Sequence, residues 1–105
     1  MDTYNIYFDL KEGIKESDVF HLATEFAKAL KKEGVIDEFK LNTIEDKGNF
    51  PEIPDLHMAV YFKSAAHMDD GFKIVQSKYL NEHPHSELMA SVSNFKVSFG
   101  QRHHA

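Results

Sequence analysis

The segment Tyr4-Asn5-Ile6-Tyr7-Phe8-Asp9-Leu10 divides its side chains cleanly between two faces. Alternation along an extended strand sets Tyr4, Ile6, Phe8 and Leu10 on one side, and Asn5, Tyr7 and Asp9 on the other. The first side is wholly apolar; the second is polar with one aromatic in it. A sheet of such strands has one face for its own core and a second face for solvent or a partner.

The two-faced pattern recurs three times. Residues 35–43 set Phe39 and Leu41 against Lys40 and Asn42. Residues 56–62 set Met58, Val60 and Phe62 against His57, Ala59 and Tyr61. Residues 92–99 set Phe95, Val97 and Phe99 against Asn94, Lys96 and Ser98. Between the first two strands, Val19, Leu22, Ala23, Phe26 and Leu30 recur at spacings of three and four, the stripe of an amphipathic helix. Ser17 or Asp18 is its expected N-cap, Lys28, Lys31 and Lys32 suit its C-terminal end, and Gly34 its stop. A second helix is expected after Ser64, with Ala65, Met68, Phe72, Val75 and Tyr79 on one stripe and Gly71 an unfavourable residue inside it. Residues 45–55, with Gly48, Pro51 and Pro54, read as a long irregular connection. Residues 81–91 are irregular around His83-Pro84-His85, with one helical turn near Ser86-Glu87-Leu88. Residues 100–105 form a polar tail.

Strand, helix, strand, strand, helix, strand with right-handed crossovers predicts an α+β, ferredoxin-like βαββαβ fold. Its four-stranded antiparallel sheet carries two helices on one face. The 105 residues fit one domain, 1–105, and are too few for two cores. Nine phenylalanines and no tryptophan imply a core of large flat rings. The net charge of −5 and the lack of a basic stripe argue against nucleic-acid binding. Without cysteine there are no disulfides, thiolate metal sites or cysteine nucleophiles. With no leader and no long apolar run, a cytoplasmic location and no membrane partner are expected.

The architecture and the opening Tyr4-Asn5-Ile6-Tyr7-Phe8-Asp9-Leu10-Lys11 resemble the dimeric α+β barrel superfamily, in particular small bacterial proteins of that type. The resemblance implies a homodimer formed by pairing helix-free sheet faces into a barrel. It also implies relatives that include stress-responsive barrel proteins, cofactor-independent quinol-type monooxygenases, muconolactone-type isomerases and haem-degrading enzymes. Haem-degrading members use a tryptophan that this chain lacks. No catalytic motif of a characterised branch matches residue by residue, and no cofactor is expected.

Two places could carry chemistry. On the helix-free face, aligning the centres of the first and third strands sets Tyr7 opposite Ala59, Tyr61 near Asn5 and His57 near Asp9. A carboxylate beside an imidazole fixes its tautomer and raises its basicity, so His57 as base, Asp9 as its orienter and Tyr7 or Tyr61 as donor would suit a monooxygenase or isomerase. The simpler reading is a cross-strand polar pair or a dimer interface.

The second place is the layer between sheet and helices. There Phe8, Phe26, Phe39, Met58, Phe62, Met68, Phe72, Tyr79 and Phe95 either pack solidly or line a pocket for a small apolar or aromatic molecule, its polar end at the mouth. The histidine pairs His83/His85 and His103/His104 lack metal-ligand spacing, so no metal site is expected. His21 and His67 read as solvated.

Overall fold

The alternation read along Tyr4–Leu10 becomes β1 (Asp2–Leu10) in a computed structural model that describes residues 1–103. Of the tail expected over residues 100–105, residues 100–101 instead continue the last strand and Arg102 N donates to Met1 O, while 104–105 lie outside the described residues. The chain continues through α1 (Glu16–Lys32), β2 (Glu38–Thr43), β3 (Leu56–Phe62), α2 (Ala65–Ile74), a π-helical turn over Val75–Tyr79, α3 (His85–Ser91) and β4 (Val92–Gln101). The sheet order is β2-β3-β1-β4 with every neighbouring pair antiparallel, the ferredoxin-like arrangement. No helix among the described residues is long and apolar enough to cross a membrane.

The helices form where the stripes place them, and their ends show why. α1 starts at Glu16 with Lys15 as an N-cap that makes no side-chain bond, rather than at Ser17 or Asp18. Glu16 and Asp18 therefore sit in its first turn, where they favour the positive end of the dipole. Its far end closes with Val35 N donating to Leu30 O and Gly34 N to Lys31 O, and Gly34 takes the positive φ of 76° that this motif needs. Ser64 caps α2 as expected, accepting from His67 N at 3.1 Å.

His67 is not merely solvated. Its Nδ1 accepts from Lys63 N at 3.1 Å, and its Nε2 bonds Gly34 O at 2.9 Å, joining the start of α2 to the end of α1. Gly71 is explained by close packing. A Cβ there would lie 2.8 Å from Phe62 Cε1 and 3.1 Å from Val35 O.

Two departures matter for the site. The single helical turn expected near Ser86 is a complete short helix, α3, so three helices rather than two flank the sheet. In β4, Asn94 adopts φ 49° and the β1 register shifts between Tyr7 and Asp9. This is a bulge, and asparagine tolerates its left-handed backbone better than most residues. It resets the alternation, so Val92 and Phe95 both face the helix side.

The core centres on Phe8, Val19, Ala23, Phe26, Ala27, Leu30, Leu56, Met58, Val60 and Phe62, all buried. The inward side of β4 is different. Phe95 is 44% exposed and Phe99 60%, because the helices pack over the other strands and leave this edge open.

Candidate functional site

The two faces of the sheet present two different environments. On the helix side a cavity of about 360 Å³ separates sheet from helices. Tyr4, Ile6 and Phe8 of β1 and Met58, Val60 and Phe62 of β3 line it from the sheet. Ala23, Phe26 and Leu30 of α1, Gly71 and Phe72 of α2, and Leu88 and Met89 of α3 line it from above. Val92 and Phe95 bring β4 into the wall, and Gln76 enters from the π-helical turn. Rings meet edge to face here rather than in stacks. Tyr4 lies 4.9 Å from Phe72 at 72° between planes, and Phe62 lies 6.0 Å from Phe72 at 79°. Crossed flat rings, under helices that do not cover Phe95 and Phe99 of β4, leave space that no side chain occupies.

Of the residues expected to line a pocket, Phe8, Phe26, Met58, Phe62, Phe72 and Phe95 are on its wall. Phe39, Met68 and Tyr79 are not. Phe39 packs against the core margin from the edge strand β2, and Met68 is buried in the first turn of α2. Tyr79 lies edge-on to Phe26, with centroids 5.7 Å apart. Sequence reasoning missed His85, which belonged to a segment read as irregular. Its ring lies 5.1 Å from that of Phe26, and its Nδ1 sits 3.1 Å from Leu80 O. The lining contains no Asp, Glu, Lys or Arg; its polar side chains are Tyr4, Gln76 and His85. Burial pushes the Tyr4 phenol above its ordinary pKa, so it stays protonated.

On the helix-free face the register corrects the expected pairing. β1 and β3 match Thr3 to Tyr61, Asn5 to Ala59 and Tyr7 to His57, two residues away from centre alignment. β1 begins at Asp2, which pairs with Phe62 at the far end of β3, and its last two residues, Asp9 and Leu10, run past Leu56. A shift of two keeps every side chain on its predicted face but changes its neighbours.

His57 consequently does not meet Asp9. It stacks on Tyr7 with centroids 4.7 Å apart, its Nε2 lies 3.0 Å from Asn5 Oδ1, and its Nδ1 lies 3.2 Å from Asn42 Nδ2. With Nε2–H donating to Asn5 and Nδ1 accepting from Asn42, both nitrogens of the neutral ring are satisfied. Burial holds its pKa below the ordinary imidazole value.

Asp9 instead holds the chain around it. Its Oδ1 accepts from Asp55 N at 2.8 Å and its Oδ2 from Asn94 Nδ2 at 3.0 Å. It thereby ties the end of the long connection to the β4 bulge. Partial burial would raise its pKa, but the bonds from Asn94 and the Asp55 backbone, with Lys47 nearby, outweigh that and hold it low. Tyr61 lies opposite Thr3, with the Arg102 guanidinium 5.0 Å from its ring centre. Of the four residues named for catalysis, the fold brings together Tyr7 and His57 and separates Asp9 and Tyr61 from them. Among the described residues no three His, Asp or Glu side chains gather as a metal site would require.

Comparison with known proteins bears on fold and family. A sequence family described as a family of unknown function, DUF6614, matches residues 1–101. No curated protein matches. Among solved structures, the ensemble-refined crystal structure of an Arabidopsis thaliana protein is similar at TM-score 0.71 and 12% identity, covering 100% of this chain and 98% of that one. A dimeric ferredoxin-like protein from an uncultured marine organism matches at TM-score 0.61 and 15% identity, over 94% and 91% of the two chains. A dimeric protein of unknown function and ferredoxin-like fold from Bacteroides fragilis matches at TM-score 0.56 and 13% identity, over 96% and 95%.

Proposed function

The chain belongs to the DUF6614 family of unknown function, and on that premise we propose that it binds a small apolar or aromatic molecule between sheet and helices, as a homodimer. The observation that carries this reading is the cavity. Its volume of about 360 Å³ lies within the range of roughly 300–1,000 Å³ typical of ligand pockets. Its wall combines a broad apolar surface with a few polar groups, which is how such sites fix orientation.

The homodimer reading draws support from the two ferredoxin-like neighbours described as dimeric. It fits the helix-free face, where Thr3 and Ala59 are buried and Tyr7, His57 and Tyr61 are half-buried within one chain. Beside that face the long connection carries Phe50, 55% exposed, next to a depression it shares with Tyr7 and Lys96. A second copy would cover that ring. An enzymatic alternative, a cofactor-independent monooxygenase or isomerase based on His57, needs a free lone pair on the imidazole, and Asn42 occupies it.

A neutral fluorescent dye such as N-phenylnaphthylamine tests the pocket. Saturable enhancement, abolished by long alkyl competitors, is expected; fluorescence that rises linearly with dye removes the binding role. Size exclusion should give a dimer that Phe50→Asp shifts toward monomer. A wild-type monomer at all concentrations removes the dimer.

A further inference from the structure

We propose that the pocket selects uncharged amphiphiles bearing a hydroxyl, and that His85 Nε2 receives the hydroxyl proton in a hydrogen bond. The inference rests on the binding role proposed above and adds the chemistry of the ligand's polar end. Three observations lead to it.

The first is the tautomer. His85 Nδ1 lies 3.1 Å from Leu80 O, and a carbonyl can only accept, so Nδ1 carries the proton. In the neutral ring Nε2 is then a lone-pair acceptor, and it has no protein partner among the described residues. The second is position. The His85 ring is part of the cavity wall beside Phe26, which puts its edge within reach of a ligand's polar end at the mouth.

The third is charge. The wall has no lysine or arginine, so a carboxylate drawn into it would lose its hydration without a counter-ion. It would also meet a lone pair at Nε2 rather than a donor. An alcohol of the same length keeps its hydrogen bond and brings no charge. An ether of that length fills the same space but has no proton to give.

Competition against the neutral dye at alkaline pH separates these cases. The competitors are decanol, methyl nonyl ether and decanoate. Decanol should displace the dye at a concentration at least about tenfold lower than decanoate, given the cost of an unpaired buried charge. In His85→Phe, which keeps a flat ring beside Phe26, the potency of decanol relative to the ether should fall roughly fivefold, the loss of one hydrogen bond.

Equal potency of decanol and decanoate on the wild-type protein overturns the selectivity. An alcohol-to-ether ratio unchanged in His85→Phe overturns the role of His85. Both outcomes presuppose saturable dye binding. Its absence would instead sink the binding role itself, so the two failures are distinguishable. The alcohol-against-carboxylate comparison needs no variant, and it stands even if His85→Phe does not fold.

Discussion

β1 serves both faces of the sheet, and the two faces satisfy their needs in opposite ways. On the outer face both ring nitrogens of His57 find a partner within the sheet. Asn5, Asn42 and Tyr7 surround the ring, and Asp9 ties down the neighbouring loop and bulge. On the inner face the residues are ideal core formers, yet they enclose a hollow. The contrast teaches that apolar patterning guarantees a dry side but not a filled one. Filling depends on how far the covering elements reach, and the three helices leave Phe95, Val97 and Phe99 of β4 exposed.

The largest expected effects come from testing filled against hollow. Leu56 is almost completely buried and lies off the cavity wall, whereas Leu88 is on it. Leu56→Ala should cost about 2–5 kcal/mol in denaturant unfolding. Leu88→Ala should cost about 1 kcal/mol, since part of its side chain already faces space and loses fewer contacts. Equal losses at the two positions would mean that the cavity is closed in solution.

Gly71→Ala comes next. Helix propensity alone favours alanine by about 1 kcal/mol. The added methyl, however, would press on Phe62 and the Val35 carbonyl, and overpacking of this kind costs about 1–3 kcal/mol. A net loss of stability is expected, and a gain would show that α2 rides further from β3. Val75→Met should change stability by less than about 1 kcal/mol, because Val75 is only partly buried on the wall and methionine can extend into the void rather than into packed atoms. The same variant should lose dye uptake. A loss of several kcal/mol there would instead report a solid core.

How much of this was legible follows from what each signal measures. Alternation and helical spacing report which side of an element is apolar, and those assignments hold for every strand. They do not report neighbours across the sheet. Moving from Tyr7 opposite Ala59 to Tyr7 opposite His57 leaves each face unchanged and dissolves the Asp9–His57 pair. Nor do they report coverage. Phe95 and Phe99 read as core, and they face the helix side, but the helices leave both exposed, Phe99 meeting only the edge of Phe72 from α2. The Asn94 bulge could have been suspected, since Val92 is apolar on the wrong beat of β4 and an asparagine stands between the two phases. His85 had no such signal, because its role depends on a helix that a proline-containing segment disguises.

The smallest effects set the two faces against each other by pH. His57, on the outer face, has its pKa lowered by burial, so its folded form resists protonation. Its contribution to stability is complete above the unfolded value of about 6.5 and is lost as pH falls through the lower folded value. His83 lies just before α3 and behaves oppositely. A 2.7 Å bond to Glu87 comes first among the causes that raise its pKa, and Glu25 of α1 adds to it at 3.2 Å. Its contribution is present below about pH 6.5 and is lost as pH rises through the raised folded value.

The two imidazoles should therefore titrate on opposite sides of an ordinary histidine in a proton NMR titration. His57→Gln should flatten the acid side of the stability profile, and His83→Gln its alkaline side. Because His83 joins α3 to α1, and α3 carries Leu88 and Met89, its deprotonation loosens a wall of the cavity. Dye affinity should fall modestly as pH rises through the His83 transition and should not change through that of His57. A dependence that followed His57 instead would place the ligand on the other face of the sheet.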